Sequence, residues 1–256
     1  MRELDLYREV EHVSRFISGY VGNTRCVKVV VGLSGGIDSS LSAALCVKAL
    51  GRDNVLGVLL PYRTSHRDSA ADALLLAKSL NIATETIDIS PMVDAYFCDV
   101  DLPIHPLRKG NFMARMRMSV LYDLSAKHQA LVVGTCNRTE LLVGYFTQFG
   151  DGASAFEPIG HLYKTEVWKM AKLLGVPETI ISKTPTADLW EGQTDEQELG
   201  ISYPVLDEIL YELTELDMNP TATENLTHPQ AMYDKVNNLI RNSEFKRHPA
   251  PIPELD

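Results

Sequence analysis

Residues 27–33, VKVVVGL, form a β-branched run of strand length that ends in Ser34-Gly35-Gly36-Ile37-Asp38-Ser39-Ser40 ahead of the helix formers 41–50. A continuous apolar run bounded in this way predicts a buried strand, a tight loop and a helix in direct succession. Glycines at 32, 35 and 36 allow backbone turns closed to other residues and allow a phosphate to approach. The free N–H groups of the following helix, with its dipole, complete an anion site. The segment is not a Walker A loop, because no G-K-[ST] follows the glycines. Asp38 and the hydroxyls of Ser34, Ser39 and Ser40 stand where the phosphate lysine would be. A carboxylate beside a phosphate implies a divalent cation between them. The rival reading is an ordinary strand-to-helix turn capped by Asp38.

The same alternation continues along the chain. Residues 3–20 carry apolar positions at helical spacing, 54–60 and 84–89 read as strands, and 70–80 as a helix. A long helix over 111–127 precedes a fourth strand at 130–134. The pattern predicts an α/β fold of Rossmann-like type, a parallel sheet with helices on both faces, in one unit spanning 1–256. Ligands of such sheets sit at the carboxyl ends of the strands, where SGGIDSS and Gly134-Thr135-Cys136-Asn137-Arg138-Thr139-Glu140 fall. From 163 onward the chain reads as helical (163–174, 205–213, 230–240). The polar stretch 184–200 is expected to be a mobile lid, and 248–256, with three prolines, an extended tail.

Composition narrows the function classes. With 24 Lys plus Arg against 34 Asp plus Glu, the net charge of −10 argues against non-specific nucleic-acid binding. No run approaches the ~18 apolar residues of a membrane span, and the N-terminus lacks the apolar core of a signal peptide, so a cytoplasmic location is expected. Cys26, Cys46, Cys98 and Cys136 include no C-x-x-C pair and suggest neither zinc nor disulfides. Cys26 and Cys46 are expected in the core, and Cys136 is read as a bystander beside the loop after the fourth strand.

SGG-x-DS resembles the pyrophosphate loop of the ATP pyrophosphatase superfamily, whose members split ATP into AMP and pyrophosphate. Further motifs resemble those of NAD synthetases. They are Gly110-Asn111-Phe112-Met113-Ala114-Arg115-Met116-Arg117-Met118, Gly134-Thr135 with Glu140, Gly144-Tyr145-Phe146-Thr147, and Phe149-Gly150-Asp151-Gly152. Pro158-Ile159-Gly160, Leu162-Tyr163-Lys164-Thr165-Glu166-Val167, Pro185-Thr186-Ala187-Asp188-Leu189-Trp190 and Glu191-Gly192-Gln193-Thr194-Asp195-Glu196 continue the series in the same order. The resemblance runs from about residue 4 to 249.

The resemblance implies an adenine nucleotide alpha hydrolase-like fold and an AMP-forming ligase that amidates deamido-NAD⁺ with free ammonia. It implies ATP contacts from Gly32, Leu33, Ser34, Gly35, Gly36, Ile37, Asp38, Ser39, Thr135, Lys164 and Thr186, and Mg²⁺ ligands in Asp38 and Glu140. Deamido-NAD⁺ contacts are implied for Arg115, Gln148 and Lys246, in a site shared across a homodimer. The long helix 111–127 has more apolar residues than one stripe requires, which fits a face covered by a symmetry mate. Each role has a plainer rival: Glu140 as a solvated helix residue, Lys164 as a helix cap, Arg115 paired with Asp123 or Glu140. The chain departs from many members at Gln148 (Lys), Ala155 (Asp) and Phe245 (His), all on the dinucleotide side. A paralogue amidating another carboxylate, a tRNA-thiolating enzyme and a silent nucleotide sensor are the alternatives. The chain has neither the persulfide cysteine pair nor the basic surface that a tRNA-thiolating enzyme would want, and a silent sensor would have no reason to keep Asp38, Glu140, Lys164 and Arg115 together.

Overall fold

The computed structural model describes residues 2–98, 103–190, 192–221 and 226–253. The β-branched run folds as strand β1 (Lys28–Gly32), flanked in parallel by β2 (Val55–Leu59) and β4 (Ala130–Val133), with β3 (Ala83–Thr86) outside β2. The order is β3-β2-β1-β4, and Val30 stands in register with Leu56 and Val132.

Helices cover both faces. Val29 and Val31 pack with α1 (Leu6–Gly22), α2 (Ile37–Leu50) and α7 (Lys164–Leu173), through Val13, Ile17, Leu41, Leu45 and Met170. Val30 points the other way, into a core with α4 (Ser90–Phe97) and α5 (Pro106–His128) built on Val93, Met113, Leu121 and Leu124. Burial on both faces explains why this strand reads as an unbroken apolar run, each full burial contributing about 1.5–3 kcal/mol. The crossover from β2 to β3 is α3 (Arg67–Leu80).

The chain winds outward from β1 to β3, then returns to lay β4 on the other side of β1. That reversal opens a crevice at the carboxyl ends of β1 and β4. Beyond it come α6 (Arg138–Val143), α8 (Glu178–Ile181), α9 (Asp195–Leu199), α10 (Tyr203–Thr214) and α11 (Gln230–Ser243). Of these, α6, α9, α10 and α11 share a third core that includes Val143, Leu199, Leu206, Ile209, Tyr233 and Val236, with Tyr163 beside them, while Ile180 of α8 packs into the first core. Past β4 the described residues hold no strand, only a parallel bridge between Val133 and Phe156.

Four expectations are corrected. The segment 184–200 is only partly a loop: α9 lies within it, and Gln193, Asp195 and Leu199 are buried, so its C-terminal half is packed. Glu191, quoted in one motif, lies outside the described residues. Cys26 is half-exposed, because it sits before the sheet begins, whereas Cys46 is buried. Helix α5 begins at Pro106, with proline in the first turn where no N–H is needed. Its apolar surplus is largely absorbed within the chain: Met113, Met118, Leu121 and Leu124 are buried, and Phe112, Met116 and Val120 pack against the same core.

Candidate active site

The glycine loop forms as its composition requires. Gly35 adopts φ +76°, and a Cβ there would lie 2.1 Å from the carbonyl oxygen of Ser69 at the start of α3. Only glycine fits. Ser34 and Ser39 hydroxyls lie 2.9 Å apart, and Ser34 Oγ accepts from the Gly36 N–H at 3.1 Å. Gly36 is the N-cap of α2 and offers no side-chain cap, leaving the first turn of that helix available to an anion. Ser40 is buried and donates to the Gly36 carbonyl at 2.7 Å, so it braces the loop rather than facing the crevice.

Three helices bring the charged groups together. Asp38 stands in the first turn of α2, Glu140 in the first turn of α6, and Lys164 opens α7. Lys164 is 1% exposed, and its Nζ donates to Asp38 Oδ2 at 2.6 Å and to Glu140 Oε1 at 3.0 Å. Asn137 ties the carboxylates from behind. Its amide donates to Asp38 Oδ1 at 2.9 Å, its backbone N–H to Glu140 Oε2 at 3.2 Å, and its side-chain oxygen caps α6 by accepting from Glu140 N–H.

Burial pushes the Lys164 pKa down, but Asp38 and Glu140 more than offset it and hold the ammonium charged. Burial raises Glu140. These contacts exclude the plainer readings of Lys164 as a surface cap and Glu140 as a solvated residue.

The crevice encloses about 660 Å³, and Gly32, Leu33, Ser34, Gly36, Ile37 and Ser39 line its floor. Thr135, Thr186 and Lys246 line it too. Gly35 does not, and acts through its backbone conformation. Lys246 Nζ donates to the Gly144 and Phe146 carbonyls at 2.8 and 2.9 Å. Arg115 and Gln148 lie together outside this lining: Arg115 is exposed, and its Nε donates to the Gln148 carbonyl at 3.2 Å rather than to Asp123 or Glu140. Ala155 is half-buried against the core and Phe245 is 63% exposed.

Sequence reasoning assigned no role to Asn137, Arg117 or Tyr203. Arg117 lines the crevice and donates to the Leu60 carbonyl at 3.1 Å, with burial lowering its pKa. Its place in the A-R-x-R-M run was the available signal. Tyr203 places its ring 4.8 Å from Lys164 Nζ. Cys136 lines the same wall, buried, its thiol pushed well up by burial and neighbouring carboxylates, which keeps it from reacting as a thiolate.

Two carboxylates with lone pairs to spare fit Mg²⁺, which keeps several waters and takes phosphate oxygens rather than a protein cage.

Comparison with known proteins accords with this geometry. The sequence profile of the family described as NAD synthase matches residues 9–250. The NH(3)-dependent NAD(+) synthetase of Fusobacterium nucleatum is 46% identical over 260 aligned positions, covering 100% of this chain and 99% of the relative. Among solved structures, the NMN synthetase from Francisella tularensis superposes with a TM-score of 0.87 at 34% identity, covering 99% of this chain and 100% of the other. The NH3-dependent NAD synthetase from Campylobacter jejuni gives 0.84 at 36% identity, covering 98% and 100%. The glycine loop, the lysine between two carboxylates and the sheet that presents them therefore sit in a chain that belongs to the NAD synthase family.

Proposed function

We propose that this chain is an ammonia-dependent NAD⁺ synthetase, which amidates the nicotinate carboxylate of deamido-NAD⁺ at the expense of ATP and releases AMP and pyrophosphate. The observation that carries the reading is Lys164 held between Asp38 and Glu140 beside the glycine loop. A carboxylate does not exchange oxide for ammonia at neutral pH. Attack of its oxygen on the α-phosphorus of ATP, with pyrophosphate leaving, gives an acyl adenylate. Ammonia then adds to the carbonyl carbon and AMP departs with the former carboxylate oxygen.

No covalent protein nucleophile is needed. The protein's task is to hold two polyanions in line and stabilise charge on the α- and bridging oxygens. The first turn of α2 and the loop amides bind phosphate, and Lys164 supplies a buried positive charge. Thr135 and Thr186 contact the nucleotide. Asp38 and Glu140 are the residues to hold Mg²⁺, which would neutralise phosphate charge there. Arg115, Gln148 and Lys246 are proposed contacts of the dinucleotide.

A homodimer belongs to the same reading. The apolar surface that supports it is aromatic: Phe16 (43% exposed) and Tyr20 (41%) on α1, with rings 6.0 Å apart, and Tyr122 (44%) on α5. Sedimentation at micromolar concentration tests it, and a fully active monomer of 28.5 kDa would reject it. A cytoplasmic location is proposed as well. No helix among the described residues is long and apolar enough to cross a membrane.

A second substrate is favoured by a specific observation. By the resemblance, Gln148, Ala155 and Phe245 stand where many members carry Lys, Asp and His, and one similar structure is named an NMN synthetase. Assays with ATP and ammonium, offering deamido-NAD⁺ or nicotinate mononucleotide separately, decide between them. Higher kcat/KM on the dinucleotide supports the proposal, and higher kcat/KM on the mononucleotide replaces it.

A further inference from the structure

Lys164 and Glu140 begin two different helices, and the residue that joins those helices lies on a third. The Thr139 hydroxyl, next to Glu140, accepts the Lys164 backbone N–H at 3.0 Å and donates to Asp207. The other oxygen of Asp207 accepts the Thr165 backbone N–H at 2.8 Å. Asp207, on α10, is fully buried and does not line the crevice. One turn earlier on the same face of α10, Tyr203 lays its ring against Lys164 Nζ and donates its hydroxyl to Asp195 at 3.0 Å. Helix α10 thus holds Lys164 at both ends, its main chain through Asp207 and its ammonium through Tyr203.

A buried carboxylate without a cation partner is costly, and among the described residues Asp207 has none, so hydrogen bonds and the N-terminal dipoles of α6 and α7 compensate it. Burial pushes its pKa up to about 6. If the position served packing alone, an apolar side chain of similar volume would hold the helices without that cost. What an apolar residue cannot do is fix the relative height of two helix N-termini, because that requires an acceptor facing both. We infer that Asp207 is a positioning residue of the ligase reaction, setting the distance between Lys164 and Glu140 through Thr139 and Thr165. The inference rests on the ligase reading above.

The test uses the full chain with Asp207→Asn, Thr139→Ser, Thr139→Val and the double variant Asp207→Asn/Thr139→Val, with thermal unfolding to monitor the fold. Displacing groups about 1 Å from the reacting atoms costs up to about 10²-fold, so Asp207→Asn is expected to lower kcat by about tenfold or more. KM for ATP and for the carboxylate substrate should stay within about threefold, since the crevice lining is untouched. Thr139→Ser, which keeps the hydroxyl, should retain near-native kcat, while Thr139→Val should fall like Asp207→Asn. The double variant should be no slower than the slower single one, because both break the same link. Folded Asp207→Asn with native kcat, or losses that multiply in the double variant, would overturn the inference. If Asp207→Asn does not fold, Thr139→Val decides: native kcat rejects the link, and loss rescued in Thr139→Ser supports it. A native chain that forms no AMP rejects the ligase reading and this inference together. An active native chain with an equally active Thr139→Val rejects the inference alone.

Discussion

The ammonium of Lys164 lies 2.6 Å from Asp38 Oδ2, and these two residues are 126 positions apart in the chain. The contact closes the crevice between β1 and β4, because Asp38 follows the first of these strands and Lys164 comes from the helical part beyond the second. Glu140 completes the arrangement at 3.0 Å. One cation between two anions leaves a net negative centre, suited to a divalent cation once phosphates arrive.

Asp38→Ala and Glu140→Ala are each expected to abolish adenylation while leaving the fold intact. Loss of one transition-state electrostatic contact costs about 10²–10³-fold in kcat. Pyrophosphate release measures it, with circular dichroism for the fold. Near-normal release from either variant would remove that residue from the metal and phosphate site.

Lys164→Met should destabilise the chain by about 3–5 kcal/mol, because removing one partner strands buried charge. Here two carboxylates lose their cation at once. Millimolar Mg²⁺ should recover part of that loss if Asp38 and Glu140 bind it. Urea unfolding with and without Mg²⁺ reads both effects, and a variant as stable as the native chain contradicts the assignment.

Gly35→Ala forces a side chain into φ +76° and against the Ser69 carbonyl. The left-handed conformation alone costs about 1–2 kcal/mol, and relief of the clash must move α3 or the loop. ATP affinity should fall more than that of the carboxylate substrate. Calorimetric titration with each ligand separates the two, and unchanged ATP binding would count against the loop as the phosphate site.

Glu157 accepts from Ser154 Oγ at 2.9 Å and from the Cys136 N–H at 3.0 Å, while burial raises its pKa to about 7. A carboxyl whose folded pKa exceeds its unfolded value favours folding most when protonated. That contribution is complete below pH ~4.5 and is lost as pH rises to about 7, a change on the order of 1–3 kcal/mol. Glu157→Gln should flatten this part of the stability curve. An unchanged slope between pH 5 and 8 would mean that Glu157 is ionised at no such cost.

The sheet and its main helices were legible because their cores are buried on matched periodicities. VVV at 29–31 and the helix of residues 37–50 need no partner information to be read. The glycine loop was legible for a local reason, since Gly35 answers to a φ that only glycine adopts freely. Helix α9 was not: its sequence DEQEL is polar, and what anchors it is Asp195 bonded by the hydroxyls of Tyr145 and Tyr203. Nor could spacing reveal that Asn137 bridges Asp38 and Glu140, or that Asp207 joins α6 to α7. These bonds span up to 99 residues and appear only once the chain has folded. Arg115 was named by resemblance, and the structure places it on an exposed rim beside Gln148 rather than in the crevice.

The central claim is that the carboxylate oxygen passes to AMP, and isotope transfer measures it directly. Deamido-NAD⁺ labelled with ¹⁸O in the nicotinate carboxylate is turned over with ATP and ammonium, and the products are weighed by mass spectrometry. The account predicts one labelled oxygen in the phosphate of AMP and none in pyrophosphate. Label in orthophosphate with ADP as the coproduct, or amide formation with unlabelled AMP, would contradict it.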